Sequence, residues 1–429
     1  MSDVSAKEQT SVSFLYILTL VMFSVGTASV SFCSNQVLQL TLRQFTTEMK
    51  LIGFVLSLQA LNQLWATPYA AWKSDRIWTR IGRRKPLVLI LAPLLVLTVV
   101  LVPHCPTLWM LVGLVFVLQM AEDAELAVMM PAICDSVPDR QRPLATGMWQ
   151  FAVAIAGFLM GRYVLQLMEP GQHVLRLLGH SLTITGAHHW PYTASGILVT
   201  VTAVIFLLVM REKYVPPRPK DRFRLFSYGR EICRIREHFL IYVIFFFQPL
   251  FYLVAIAFFA TLATVELHIS PARYGWAFSY GAMTTLIASI PLGYLFNRFR
   301  YRKAFCIGAC VYVMIPITFG LFYMRTAVDM AIFFSMQILA FVVFRLNFMP
   351  LVMEYTTPQN VGTILGFTNA VNGLVRFTAL PLVGTIVDAT HGSCRLPLWG
   401  GYLGAVACII ALLMMRPPEK VRHLLEQNC

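Results

Sequence analysis

Twelve apolar runs punctuate the chain, near residues 13–33, 51–72, 87–103, 107–133, 144–168, 193–210, 238–266, 273–296, 303–324, 327–353, 361–387 and 397–415. Each is about as long as a bilayer-crossing helix, which takes roughly 20 apolar residues. Most connections are short, as between neighbouring helices of a bundle. Two are longer. Residues 169–192 contain His173, His180, His188 and His189. Only His188 and His189 stand at a fixed spacing, so this stretch reads as a solvated loop and not as a metal site. Residues 211–237 hold nine Lys and Arg against four acids and a Pro216-Pro217-Arg218-Pro219 break. That stretch reads as a basic linker lying against an anionic lipid surface.

Composition agrees with the pattern. Of 429 residues 58% are hydrophobic and 13% charged, and the mean hydropathy is +0.68. A soluble fold of this size could not hide so much apolar surface. The net charge of +14 is explained by topology: 25 of the 34 Lys and Arg fall on the side of the even-numbered connections and the termini. That bias predicts cytoplasmic termini in an inner or plasma membrane and removes any need for a nucleic-acid partner. The nine cysteines are odd in number and scattered, without a disulfide or zinc spacing. Residues 11–32 read as a first spanning helix and not a cleaved signal, since further spans follow at once.

The chain repeats itself at about half its length. Pro131, Asp135 and Gly147 recur as Pro350, Glu354 and Gly366 at a constant offset of 219, and Asp75 recurs as Asn297 at 222. A duplicated six-helix unit predicts such an offset. It divides the chain into an N-terminal half at 1–210, the linker at 211–237, and a C-terminal half with a short tail at 238–429. In the second copy Asn297 and Arg298 replace an acid–arginine pair and no glycine stands at the Gly82 position, so the first copy is expected to hold the inner gate more firmly.

Between the second and third runs stands Asp75-Arg76-Ile77-Trp78-Thr79-Arg80-Ile81-Gly82-Arg83-Arg84-Lys85-Pro86. The cations keep this loop cytoplasmic, the Asp75 carboxylate suits a helix N-terminus or an arginine, and Gly82 permits the turn back into the membrane. The spacing D-R-x5-G-R-R-K resembles the loop 2–3 motif of the major facilitator superfamily. The ending G-R-R-K-P is similar to that of the glycoside-pentoside-hexuronide:cation symporters and the sucrose transporters. The 4–5 loop, with Asp135, Pro138, Asp139, Gln141 and Arg142, is similar to the symporter pattern of an aspartate followed by proline, acid and Gln-Arg. Asp135 is expected to pair with loop 2–3 arginines when the cytoplasmic side is closed, with Glu354 as its counterpart. The resemblance implies an all-α, twelve-helix major facilitator fold in two pseudo-symmetric halves, with helices 1, 4, 7 and 10 around a central cavity.

Charges inside apolar runs are the candidates for chemistry. The fourth run carries Glu122, Asp123 and Glu125. Each acid at a bilayer centre costs about 2.5–3.5 kcal/mol on insertion scales, so three together need a function. Glu122 and Glu125 share a helix face and Asp123 points about 100° away. Buried and mutually repelling carboxylates suit a group that takes and releases a proton, or a sodium site completed by amide oxygens; a structural ion pair with Arg345 or Arg376 is the alternative. The resemblance implies a coupling acid in helix 4 without choosing between Glu122 and Asp123. Arg345 aligns with Leu126, beside the acids of the other half, and reads either as their counter-ion or as a clamp for an anionic solute. Arg376, with Asn369 and Asn372 at helical spacing, reads as part of the substrate-binding set or as a gate residue, with snorkelling or packing as the alternative. Asn35, Gln59, Asn62, Gln63 and Gln248, with Trp65, Trp149 and Tyr252, supply the amides and flat faces a sugar needs, although serines and threonines nearby also serve helix packing.

No phosphate-binding loop, nucleophile elbow or zinc motif is present, which argues against an enzyme and against ATP drive. The sequence therefore predicts a cofactor-free monomer coupling H+ or Na+ entry to uptake of a sugar or glycoside. Two alternatives stand beside it: the same fold carrying an organic anion, uronate or nucleoside clamped by Arg345, or a relative that transports nothing.

Overall fold

The computed structural model describes residues 12–74, 77–137, 141–177, 180–210, 236–254, 256–299, 301–355, 361–390 and 393–417. Within them run twelve long helices: α1 Phe14–Leu42, α2 Met49–Ser74, α3 Lys85–Leu101, α4 Leu108–Ser136, α5 Arg142–Leu159 continued by a π and a 3-10 turn to Met168, α6 Trp190–Val209, α7 Arg236–Glu266, α8 Pro271–Arg298, α9 Arg302–Phe322, α10 Ala327–Glu354, α11 Val361–Ala389 and α12 Pro397–Met414. Nine are long and apolar enough to cross a membrane by composition alone. The other three are α2, α4 and α8.

Local chemistry sets the starts. Ser13, Thr107 and Ser270 cap α1, α4 and α8 by accepting from backbone N–H groups. Proline sits in the first turn of α3, α5, α6, α8 and α12, where its missing N–H costs nothing. Pro68, Pro291, Pro350 and Pro381 lie inside helices, a position that membrane bundles tolerate better than soluble folds do. The first span is longer than its hydropathy predicts, because α1 continues through a π turn, Cys33–Val37, whose polar Ser34, Asn35 and Gln36 end the apolar run without ending the helix.

Packing repeats as the sequence does. In the first half α4 lies on α2 and α3, α6 on α1 and α3, and α5 on α1; in the second, α10 lies on α8 and α9, α12 on α7 and α9, and α11 on α7. The halves meet along two equivalent seams, α2 with α11 and α5 with α8. Glycines set their closeness. A Cβ on Gly53 would press into the Leu380 carbonyl, and one on Gly161 would stand 2.7 Å from the Gly275 carbonyl. Gly53 and Gly275 are repeat equivalents, so both seams use the same small-residue contact.

The 169–192 stretch, expected as a loop, contains an antiparallel ribbon, β1 Gln172–Leu177 and β2 His180–Thr185, with Gln172 opposite Thr185. Its histidines with described side chains each have local partners. His173 bonds the Glu169 carbonyl at 2.9 Å, while His188 bonds the Thr41 hydroxyl at 2.9 Å and packs on Tyr192. Among the described residues no cluster of potential ligands holds a metal geometry. The linker at 211–235 lies outside the described residues.

The seam geometry predicts a paired result. Gly53→Ala should cost about 1–3 kcal/mol through overpacking. Gly113→Ala, where a Cβ meets nothing within 4 Å, should be neutral or stabilising, since alanine is the better helix former. Thermal unfolding of the two variants in detergent checks the contrast.

Candidate functional site

A cavity of about 740 Å³ lies between the halves. It is lined from α1 (Thr27, Ser31, Asn35), α4 (Glu122, Leu126), α7 (Tyr252, Leu253) and α10 (Phe341, Arg345), as the resemblance implies. The α2, α5, α8 and α11 helices add Gln59, Trp149, Gln150, Thr285 and Arg376. It extends to Ser289, Met349 and Pro350, in the parts of α8 and α10 nearer the linker. On the ribbon side the halves are joined by Tyr274 in α8, which donates at 2.5 Å to Gln36 of α1.

Glu122 is the one acid of the helix 4 group that reaches the cavity wall. Ser31 donates to its Oε1, Ser34 to its Oε2 at 3.1 Å, and the Gln59 Nε2 to its Oε1 at 3.3 Å. Serines at 31 and 34 stand one helical turn apart, which is why two hydroxyls of α1 reach one carboxylate. Gln59 is fixed at its other end: the Arg376 guanidinium donates to its Oε1 at 3.0 Å. The result is a chain, Arg376 to Gln59 to Glu122, that joins the halves at the middle of the cavity. Among the described residues, the hydrogen-bond donors to the Glu122 oxygens are all neutral.

The neighbouring acids part company with Glu122. Asp123 turns toward α2 and accepts from Gln63 at 3.3 Å, with its Oδ2 unpartnered among the described residues. Glu125 is fully buried away from the cavity and neither oxygen meets a donor among the described residues. The sequence placed Glu122 and Glu125 on one face. An i,i+3 pair is still about 60° apart around the axis, and the cavity takes only Glu122.

Arg345 is not the counter-ion of these acids. It lines the cavity with no ion pair or hydrogen bond among the described residues. Its guanidinium carbon stands 5.8 Å from the centre of the Phe341 ring, which stacks on Tyr252 with centroids 3.6 Å apart. The cation beside the acids is Arg376, buried and bonded through Gln59.

Of the other predicted binding residues, Asn35 lines the cavity and donates back to the Ser31 carbonyl at 2.8 Å. Asn62 is buried and donates to the Phe116 carbonyl at 3.0 Å, tying α2 to α4. Asn62, Gln63, Gln248 and Asn372 do not line the cavity. The side chain of Asn369 lies outside the described residues. Ser34 and Gln150 were not among the predicted residues; Ser34 was signalled by its spacing from Ser31, and Gln150 by nothing beyond an amide next to Trp149.

At the linker side, Asp75 and Arg76 lie outside the described residues, as do the side chains of Asp135, Arg142, Asn297 and Arg298. Gly82 has a φ of 118°, the conformation its turn demands, and pairs with Thr79 through Thr79 N to Gly82 O at 2.9 Å. Arg83 follows it, and Arg84 donates to Ser74 at the end of α2. In the second copy Arg302 pairs with Glu354 at 2.8 Å and also donates to the Pro350 carbonyl at 3.1 Å. This pairing lies within the second half.

Comparison with known proteins matches the fold. The sequence matches the Major Facilitator Superfamily profile over residues 12–265 and 241–427. A search of curated proteins found no significant sequence match. Among solved structures, a crystal structure of a D-xylose-proton symporter superposes with a TM-score of 0.68 at 14% identity, covering 95% of this chain and 97% of that one. At that identity the likeness shows the fold alone. The duplicated helix packing, the central cavity and the profile match over both halves place this chain in the major facilitator superfamily, as a membrane transporter and not an enzyme.

Proposed function

We propose that the chain is a proton-coupled secondary transporter in which Glu122 is the coupling group. The observation that carries this reading is the Glu122 setting: a carboxylate in the cavity wall, held by two hydroxyls and an amide N–H. Such donors steady the anion when no proton is present and release it when one arrives. Sodium fits less well, because Arg376 fixes the Gln59 oxygen and thereby turns an N–H, not an oxygen, toward the site. Asp123, bonded to Gln63 off the cavity, supports the electrostatics of the pair and does not meet the solute. The basic linker and loops favour a cytoplasmic placement of the termini.

The solute is a sugar or glycoside, with the carboxylated members, the uronates, favoured. Asn35, Gln36 and Gln150 offer amides for hydroxyls, and Trp149 and the Tyr252–Phe341 stack offer flat faces for a ring. The specific observation favouring an acidic sugar is Arg345, a guanidinium in the cavity wall with no ion pair among the described residues, whose fork geometry suits a carboxylate. A neutral sugar, as the name of the D-xylose-proton symporter suggests, is the second reading; it uses the same amides and leaves Arg345 to the aromatic stack.

Proteoliposomes loaded with a pH indicator test both parts. Solute-driven proton entry should be abolished in Glu122→Gln and retained within a few-fold in Asp123→Asn; the reverse order would move the coupling role to Asp123. Entry driven by glucuronate or galacturonate should exceed that driven by xylose or a neutral glucoside. Arg345→Lys should weaken uronate affinity by about 10- to 100-fold, the scale of a charge-assisted hydrogen bond lost, and leave neutral sugars unchanged. Equal responses to neutral and acidic sugars, insensitive to Arg345→Lys, would establish the second reading.

A further inference from the structure

Both seams between the halves end, on the ribbon side, in a carboxylate set on the N-terminus of a helix from the other half. Asp388, in the last turn of α11, accepts from the backbone N–H of Met49 through Oδ1 and of Lys50 through Oδ2, each at 2.8 Å, at the start of α2. Glu169, just past the end of α5, accepts from the backbone N–H of Ala272 at 3.1 Å, at the start of α8.

These contacts are copies of one another. Asp388 follows Glu169 by 219 residues, the offset that relates the two halves at Pro131 and Pro350. Ala272 follows Lys50 by 222, the offset of Asp75 and Asn297. The one difference has a plain cause. The equivalent of Met49 is Pro271, which has no N–H, so the α8 end offers one donor where the α2 end offers two.

Each acid is misplaced by the logic of its own helix. A negative charge at a helix C-terminus faces the negative end of the macrodipole, whereas at an N-terminus it is stabilised. Asp388 and Glu169 stand at C-terminal ends, and among the described residues their carboxylates find hydrogen-bond donors in the opposite half. Asp329 supplies the contrast. It accepts from the Arg325 and Thr326 N–H groups at 3.0 and 2.8 Å at the start of its own helix α10, wholly within one half.

We propose that Glu169 and Asp388 are a symmetric pair of gate clasps, which hold the ribbon side of the transporter shut and must both release when the cavity opens to that side. Opening parts α2 from α11 and α5 from α8, so it returns each carboxylate to the unfavourable end of its own helix and bares the N–H groups it served. The clasps bias the resting population toward the state closed on the ribbon side. The α2 clasp, with two donors, is the stronger.

Accessibility of the cavity from the ribbon side reads this bias directly. Ile338→Cys places a thiol in the cavity wall, and its labelling by a membrane-impermeant maleimide is followed in right-side-out and inside-out vesicles, without solute or pH gradient. Asp388→Asn and Glu169→Gln in that background should each raise labelling from the ribbon side by about two- to fivefold, with Asp388→Asn the larger, by the magnitude of an anion at an exposed helix N-terminus. The double variant should approach the product of the two, and Asp329→Asn should leave labelling unchanged. Thermal unfolding and size-exclusion profiles verify that each variant folds, and Asp388→Glu, which keeps the charge, should restore most of the effect of Asp388→Asn. Unchanged labelling in the folded double variant would overturn the proposal, as would an equal rise in Asp329→Asn. Because no solute or proton flux is measured, the result stands apart from the coupling role of Glu122.

Discussion

A charge held in a low-dielectric interior calls for donors or an opposite charge, and for Glu122 and Arg376 that requirement is met across the join between the halves. Arg376 from the second half and Glu122 from the first are linked through the Gln59 amide, which accepts from one and donates to the other. This bridge depends on how close the backbones come. Gly373 on α11 lies over the Ala60 carbonyl of α2, where an added Cβ would stand 2.9 Å away. One turn further along α11, that closeness brings the guanidinium within reach of Gln59. The small residues of the seam and the polar chemistry of the cavity are therefore one construction.

The duplicated frame carries unlike contents. Applying the offset of 219 to Glu122, Asp123 and Glu125 leads to Phe341, Val342 and Phe344, while Leu126 leads to Arg345. Where the first copy concentrates acids, the second places an aromatic platform with a cation beside it. Architecture is thus shared between the copies, since it follows from apolar periodicity and close packing. The site is not shared. On the proposed reading, a solute between α4 and α10 would meet the Glu122 carboxylate on one side and the Arg345 guanidinium on the other, which would orient it.

Much of this was legible in the sequence. Hydropathy located all twelve helices, because a bilayer leaves the backbone few other options. The repeat located the join between the halves, and the cost of intramembrane charge pointed to Glu122, Asp123, Glu125, Arg345 and Arg376 without choosing among the acids. What the sequence left open was pairing. Arg345 and Arg376 are equally plausible counter-ions on a helical wheel, and only the seam between α2 and α11 decides for Arg376. The end of α1 and the ribbon at 172–185 were missed for a related reason. A polar run inside a helix and a polar strand pair both read as loop when hydropathy is the guide. Asn62 and Gln63 were placed on the cavity by composition; they instead bind α2 to α4, a use of amides that composition does not distinguish from solute binding.

The size of the cavity has its own consequence. A volume of about 740 Å³ is room for roughly two dozen water molecules at bulk density. Filled with solvent from the linker side, it amounts to a small aqueous vestibule reaching the middle of the membrane. If Glu122 is the coupling group proposed above, a proton would need no relay of titratable side chains to meet it, since water filling the cavity would conduct it to the carboxylate. Most of the wall is apolar, so that solvent is loosely held and easily displaced. A solute that fills the vestibule would expel the conducting medium as it binds, closing the proton's route by the same event that loads the cargo.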